Sequence, residues 1–129
     1  MKKTSLPKPT DAELALLRVL WQRGPSTVRE VWEQLNRTQA AGYTTVLKTL
    51  QIMRTKGLVH RDETDRSHVY RPAVGQEETQ RQFVGHLLER VFAGSARKLV
   101  LQALSVKKAS REELAEIRKL LQEMEGDDK

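Results

Sequence analysis

Hydrophobic residues recur every three or four positions in three early segments of the chain, the spacing of an amphipathic helix. The first segment follows Thr10-Asp11-Ala12-Glu13, a capping box whose hydroxyl and carboxylate satisfy amides at a helix start. A second capping box, Thr27-Val28-Arg29-Glu30, precedes the next segment, and the third runs from Gly42 to Gly57. The spacing predicts three helices. The first is expected to bury Leu14, Leu17, Leu20 and Trp21.

The third helix is predicted to have two chemically opposite faces. Val46, Leu50 and Met53 fall at i, i+4 and i+7, so they form a stripe that can be buried. The other side carries hydroxyls, an amide and a cation, with one apolar side chain. Such polar groups could contact base edges in a DNA major groove. These residues are Thr44, Lys48, Gln51 and Thr55, and Thr45 and Ile52 lie at the edge of that side. The alternative interpretation is an ordinary solvated face.

After Gly57 the pattern becomes extended and predicts a β-hairpin. Strand-like runs at 58–62 and 68–72 flank a polar loop at 63–67. Three helices and a hairpin predict a winged helix-turn-helix, in which the third helix enters the major groove while helix starts and the wing tip contact phosphates. The phosphate contacts are expected at Ser26, Thr27, Arg66 and Ser67. The alternative is a winged-helix adaptor that binds protein or RNA.

From Gln76 onward the pattern is again helical, and the fold class is therefore mainly α. Gly94-Ser95 is expected to separate two helices, and the capping box at 110–113 to start a last one. A segment of about fifty residues buries too little surface to be stable alone, so pairing with a second copy is expected. We predict a winged-helix domain at 1–75 and a helical dimerisation domain at 76–129. The expected pairing residues are Val84, Leu87, Leu88, Val91, Phe92, Leu99, Leu101, Leu104, Ile117, Leu120 and Leu121.

The charge distribution supports this division. The net charge is +6, and residues 1–75 carry all of it, with 13 Lys and Arg against 7 Asp and Glu; residues 76–129 carry 10 of each. A basic segment joined to a neutral one favours a polyanion-binding module attached to a segment with another role.

Several other classes of protein are disfavoured. The chain has no cysteine, and its histidines, His60, His68 and His86, lack a clear third ligand for zinc. We find no phosphate-binding glycine loop and no nucleophile with its base, so we expect no enzyme, no metal and no cofactor. No apolar run approaches the roughly 18 residues needed to span a bilayer. A cytoplasmic protein is expected.

The motifs in order resemble the penicillinase repressor family of the BlaI/MecI type. They are Thr10-Asp11-Ala12-Glu13-Leu14 with Leu20-Trp21, then 43–47 and 56–59, then Val91-Phe92-Ala93-Gly94 with Leu99-Val100-Leu101. The resemblance covers almost the whole chain and implies a dimeric repressor on a palindromic double-stranded DNA operator. By position, it places recognition contacts on Thr44, Thr45 and Lys48.

Two departures concern release from DNA. In the resistance members of the family, a membrane-bound sensor protease leads to cleavage of an Asn-Phe bond; here that register holds Gln102-Ala103. The copper-responsive members carry a cysteine cluster, which this chain lacks. We therefore predict that a sensor protease does not cut between Gln102 and Ala103, and that induction uses another cut site or another signal, of which another cut site is preferred.

Overall fold

The computed structural model describes residues 7–64 and 66–126, which form a mainly α-helical fold with one small antiparallel sheet. The helices are α1 (Asp11–Arg23), α2 (Val28–Leu35), α3 (Tyr43–Lys56), α4 (Gln76–Arg90), α5 (Ala96–Val106) and α6 (Arg111–Gly126). The strands are β1 (Ser26–Thr27), β2 (Val59–Asp62) and β3 (Val69–Pro72). The predicted winged helix-turn-helix, three helices followed by a hairpin, is confirmed.

The first two capping boxes are formed as predicted. At α1, the Glu13 amide donates to Thr10 Oγ1 over 3.2 Å, and the Thr10 amide donates to Glu13 Oε1 over 2.9 Å. Thr27 and Glu30 repeat both hydrogen bonds at α2 with the same distances. α3 differs because it begins after Gly42, whose lack of a side chain leaves the helix start without a side-chain cap. Short local motifs thus determine where α1 and α2 start.

The sheet has three strands, in the order β1-β3-β2, instead of the two that the sequence predicts. β1 pairs antiparallel with β3, Ser26 opposite Tyr70 and Thr27 opposite Val69. Two residues are too few to show an alternating pattern, which is why β1 was not predicted. β2 begins at Val59 and not at Leu58, because the Leu58 amide donates to Met53 O over 2.8 Å at the end of α3.

The hydrophobic core lies between α1, α2, α3 and the sheet. α1 is buried over a wider arc than predicted, because it contacts α2, α3 and β3 together. Leu14 and Trp21, which were expected to be buried, are only half-buried. The Trp21 indole N–H donates to Val74 O over 3.0 Å. The buried apolar residues are Leu16, Leu17, Val19, Leu20, Val28, Val31, Leu35, Val46, Leu50, Met53, Leu58, Val59, Tyr70 and Val74.

A partly buried ion pair joins the start of α1 to the end of α3. Lys56 Nζ lies 2.7 Å from Glu13 Oε1, and the Glu13 side chain is 6% exposed. Burial by itself would raise the pKa of Glu13, but hydrogen bonds from Lys56 and Thr10 and the Lys56 charge together hold that pKa below its ordinary value. The pair therefore connects the predicted recognition helix to α1.

Lys56→Gln is expected to destabilise the fold by about 1–2 kcal/mol at pH 7, because it leaves the Glu13 carboxylate without its cation. A lowered carboxylate pKa contributes stability that is complete above the ordinary pKa and is lost as pH falls through the folded-state value. Urea unfolding should therefore show the difference between the two proteins shrinking as pH falls below the ordinary carboxylate pKa. Lys48→Gln, at an exposed position of α3, is the control. An equal loss in both variants, independent of pH, would contradict the assignment.

The chain divides into two compact units between Val84 and Gly85. The boundary lies inside α4 and not at its start, where the sequence suggested it. In the second unit, the Lys98 amide donates to Ser95 Oγ over 3.2 Å at the start of α5, and the Glu113 amide donates to Ser110 Oγ over 3.0 Å at α6. None of the described residues from 85 to 126 is buried.

Candidate nucleic-acid interface

α3 separates its apolar and polar residues as predicted. Val46, Leu50 and Met53 are at most 2% exposed and belong to the core. The opposite side of the helix faces solvent along its whole length. The exposed residues on that side are Thr44, Thr45, Lys48, Gln51, Ile52 and Thr55.

Several polar groups on this exposed face keep their hydrogen-bonding capacity. Among the residues that the structure describes, the hydroxyls of Thr44 and Thr45 make no hydrogen bond and Lys48 makes no ion pair. Thr55 differs, since its hydroxyl donates to Gln51 O over 3.2 Å. The N-terminal half of the face, with Thr44, Thr45 and Lys48, therefore carries the groups that are available to an external partner.

The start of α3 is held by Trp32 of α2 and by Asn36, the residue that follows α2. The Trp32 indole N–H donates to Ala41 O over 2.8 Å. The Asn36 side-chain amide donates to the same carbonyl over 3.0 Å, and its Oδ1 accepts from the Ala41 amide over 3.2 Å. The Trp32 ring also meets the Tyr43 ring edge-on, with centroids 5.8 Å apart. These contacts fix the turn between the two helices, and no local sequence pattern indicates them.

The wing formed by β2, β3 and the loop between them carries acidic side chains that already have partners. Glu63 accepts from Arg61 Nε over 2.7 Å and lies 3.4 Å from Arg54 Nη2. The hydrogen bond and charge of Arg61 lower the pKa of Glu63. The Thr64 amide and hydroxyl donate to Asp62 Oδ1 and lower its pKa. Both carboxylates are thus ionised and partnered.

The tip of the wing carries Arg66 and Ser67, both exposed. Within the described part of the chain, Arg66 forms no ion pair. A cation at a hairpin tip, in a wing where Glu63 is already neutralised by Arg61 and Arg54, is suited to contact with phosphate.

The expectation that Ser26 contacts phosphate is wrong. Ser26 is completely buried in β1, where its hydroxyl donates to Gly24 O over 2.8 Å and accepts from Arg23 Nε over 3.1 Å. Thr27 is half-buried, and its hydroxyl is the cap of α2. The start of α2 therefore offers much less to an external partner than the sequence suggested. The expectation fails because Ser26 belongs to strand β1, which buries its side chain.

No group of three or more His, Cys, Asp or Glu side chains able to hold a metal ion occurs within residues 7–64 and 66–126. Across that same part of the chain, no helix has the length and apolar character required to cross a membrane.

The helix-turn-helix with an exposed polar third helix, followed by a charged hairpin, defines the class of winged-helix DNA-binding proteins. The family model described as penicillinase repressor matches residues 9–123. The chain belongs to the penicillinase repressor family.

Individual relatives agree with this assignment. The chain is 33% identical over 117 residues to the transcriptional regulator BlaI of Mycobacterium tuberculosis, covering 90% of this chain and 84% of that protein. It is 28% identical over 123 residues to the penicillinase repressor of Bacillus licheniformis, covering 95% of this chain and 94% of that protein. The solution structure of monomeric Bacillus licheniformis BlaI in complex with the blaP half-operator matches 57% of this chain and 90% of that chain, at 26% identity and a TM-score of 0.50.

The functional class follows from the family. The protein is a DNA-binding transcriptional repressor and not an enzyme.

Proposed function

We propose that the protein is a homodimeric repressor that binds a palindromic operator, with one winged-helix unit on each half-site. The observation that carries this proposal is the apolar surface of the second compact unit. Three of its exposed residues, Val91, Leu120 and Leu121, are 65%, 55% and 54% exposed. Apolar surface concentrated in one segment marks an interaction site. A second copy of the chain would cover it symmetrically.

The pairing surface comprises apolar side chains of α4, α5 and α6 together with Val91 and Phe92, which follow α4 directly. Its members range from half-buried, such as Leu88 and Phe92, to exposed. Because the segment from 85 to 126 has no buried residue of its own, its helices need a partner surface to be stable. The proposed pairing residues are Val84, Leu87, Leu88, Val91, Phe92, Leu99, Leu101, Leu104, Ile117, Leu120 and Leu121.

On each half-site, α3 would lie in the major groove with its polar face toward the bases. Thr44, Thr45, Lys48 and Gln51 would read base edges, with Thr55 at the end of the helix. Arg66 and Ser67 at the wing tip would contact phosphate and fix the orientation of the protein. The bound BlaI relative supports this arrangement, since the same fold is there in complex with a half-operator.

Lys48→Ala is expected to weaken operator binding by about 1–3 kcal/mol and to relax the choice of base at one position, if the lysine donates to a guanine edge.

Arg66→Ala should weaken binding to all duplexes equally and reduce the salt slope by about one unit, because it removes one phosphate contact. Fluorescence anisotropy across a salt series, with the operator and a scrambled duplex, measures both effects.

The matched control for this experiment is Arg37→Ala, an exposed arginine in the turn after α2 and outside the proposed contacts. It should change neither the affinity nor the base preference. Unchanged binding and salt slope in Lys48→Ala and Arg66→Ala together would show that the wrong surface has been assigned to DNA. Equal affinity for structured RNA and for duplex DNA would instead favour the RNA-binding alternative.

Release from DNA would occur in the cytoplasm. We propose as partner a membrane sensor protease that leads to cleavage of the pairing segment. Cutting that segment would separate the two half-site contacts and lose the gain that their linkage provides. The Gln102-Ala103 bond lies within α5, in hydrogen-bonded helix, and it offers no aromatic side chain. We place the cut at another bond.

A further inference from the structure

α3 carries one apolar side chain on its otherwise polar exposed face. Ile52 is 53% exposed. At helical spacing it lies beside Lys48, four residues earlier, and Thr55, three residues later. In the described residues of the first unit, the other large exposed apolar side chains are Tyr43 and Val84. Tyr43 packs edge-on against Trp32, and Val84 is the last residue of the unit. Ile52 has no comparable explanation in packing.

The position of Ile52 indicates its partner. It lies at the edge of the exposed side of α3, turned away from Leu50, and it does not belong to the core. A solvated helix would be better served there by a polar residue, because exposed apolar surface is unfavourable in water. The major-groove edge of a base pair carries one apolar group, the C5-methyl of thymine.

We propose that Ile52 is a specificity-determining residue that selects thymine at one position of each half-site by packing against its C5-methyl group. The inference rests on the proposed function, in which α3 enters the major groove. Lys48, one turn earlier, would contact a neighbouring base pair and fix the register in which Ile52 meets the methyl. Cytosine at that position presents an amino group and no methyl, so the isoleucine would face a polar base edge and make no apolar contact.

The test removes the methyl from the DNA and the isoleucine from the protein. A duplex selected from a random pool by the full chain is resynthesised with deoxyuridine in place of each thymine in turn. For the natural chain, affinity should fall about fourfold at one thymine per half-site, the loss expected for one buried methyl group. Ile52→Ala should bind the parent duplex more weakly and show no further loss at that position.

Two further variants distinguish packing from other causes. Ile52→Val keeps a branched apolar side chain and should retain most of the thymine preference, whereas Ile52→Ser should lose it. Because Ile52 is exposed, thermal unfolding midpoints of all variants should match that of the natural chain, which separates recognition from folding.

The possible failures have different meanings. Specific binding that is indifferent to every deoxyuridine, or an equal deoxyuridine loss in Ile52→Ala, would overturn this inference and leave the proposed function standing. A change in the sedimentation of the DNA-free chain caused by Ile52→Ala would show that Ile52 contacts protein, which also overturns it. If no duplex is bound specifically, the proposed function fails and this inference fails with it.

Discussion

Leu121→Glu is expected to convert the protein to a monomer and to lower its affinity for a full operator by about 100-fold to 10,000-fold. Leu121 lies in α6 with half of its side chain exposed in the single chain, where a second copy would cover it. A carboxylate at this position would be buried without a partner on pairing, which is strongly unfavourable. Without the dimer, the second half-site contact is no longer intramolecular, and the gain from effective concentration is lost. Sedimentation velocity and operator titration measure the two effects.

The matched control is Ala115→Glu, which introduces the same charge on the same helix. Ala115 is exposed and lies away from the stripe that contains Leu114, Ile117 and Leu121. This variant should remain dimeric and bind normally. If Leu121→Glu sediments as the natural chain does and keeps its operator affinity, α6 does not pair the subunits and the proposed dimer surface is wrong.

Leu50→Ala should destabilise the fold by about 2–5 kcal/mol, the usual cost of removing a large aliphatic side chain from a packed core. Leu50 is completely buried on the inner side of α3. The adjacent Gln51 is exposed on the proposed groove face, so Gln51→Ala should leave stability within about 0.5 kcal/mol of the natural chain. Urea unfolding followed by circular dichroism measures both free energies.

The Leu50→Ala and Gln51→Ala variants should also differ in operator affinity, measured at a temperature where both are folded. Gln51→Ala should weaken operator binding, whereas folded Leu50→Ala should retain the contacts on the opposite face. A stability loss in Gln51→Ala as large as that in Leu50→Ala would show that the two faces of α3 have been misassigned.

Features encoded by neighbouring residues could be predicted from the sequence. The capping boxes at Thr10 and Thr27 place two helix starts correctly, because the hydrogen bonds join residues three apart. The inner and outer faces of α3 follow from the helical period alone, since three apolar residues recur at its spacing. The hairpin was predicted from two strand-like runs and a polar loop between them.

Features that depend on distant residues could not be predicted. The Glu13–Lys56 pair joins positions 43 apart in sequence, and no local pattern relates them. Ser26 was expected to contact phosphate at a helix start, but its pairing with β3 in a two-residue strand buries it. The Asn36–Ala41 hydrogen bonds that hold the turn before α3 require the fold to be known, because many polar turns contain an asparagine.

The mass of the protein–operator complex shows whether two copies of the chain bind one operator. Native mass spectrometry of the full chain on a selected palindromic duplex should show two chains per duplex. Scrambling one half-site should lower the affinity by about 100-fold or more, since the second contact then adds little. A single chain per duplex, bound equally well to the full operator and to an isolated half-site, would contradict the account of a dimeric repressor.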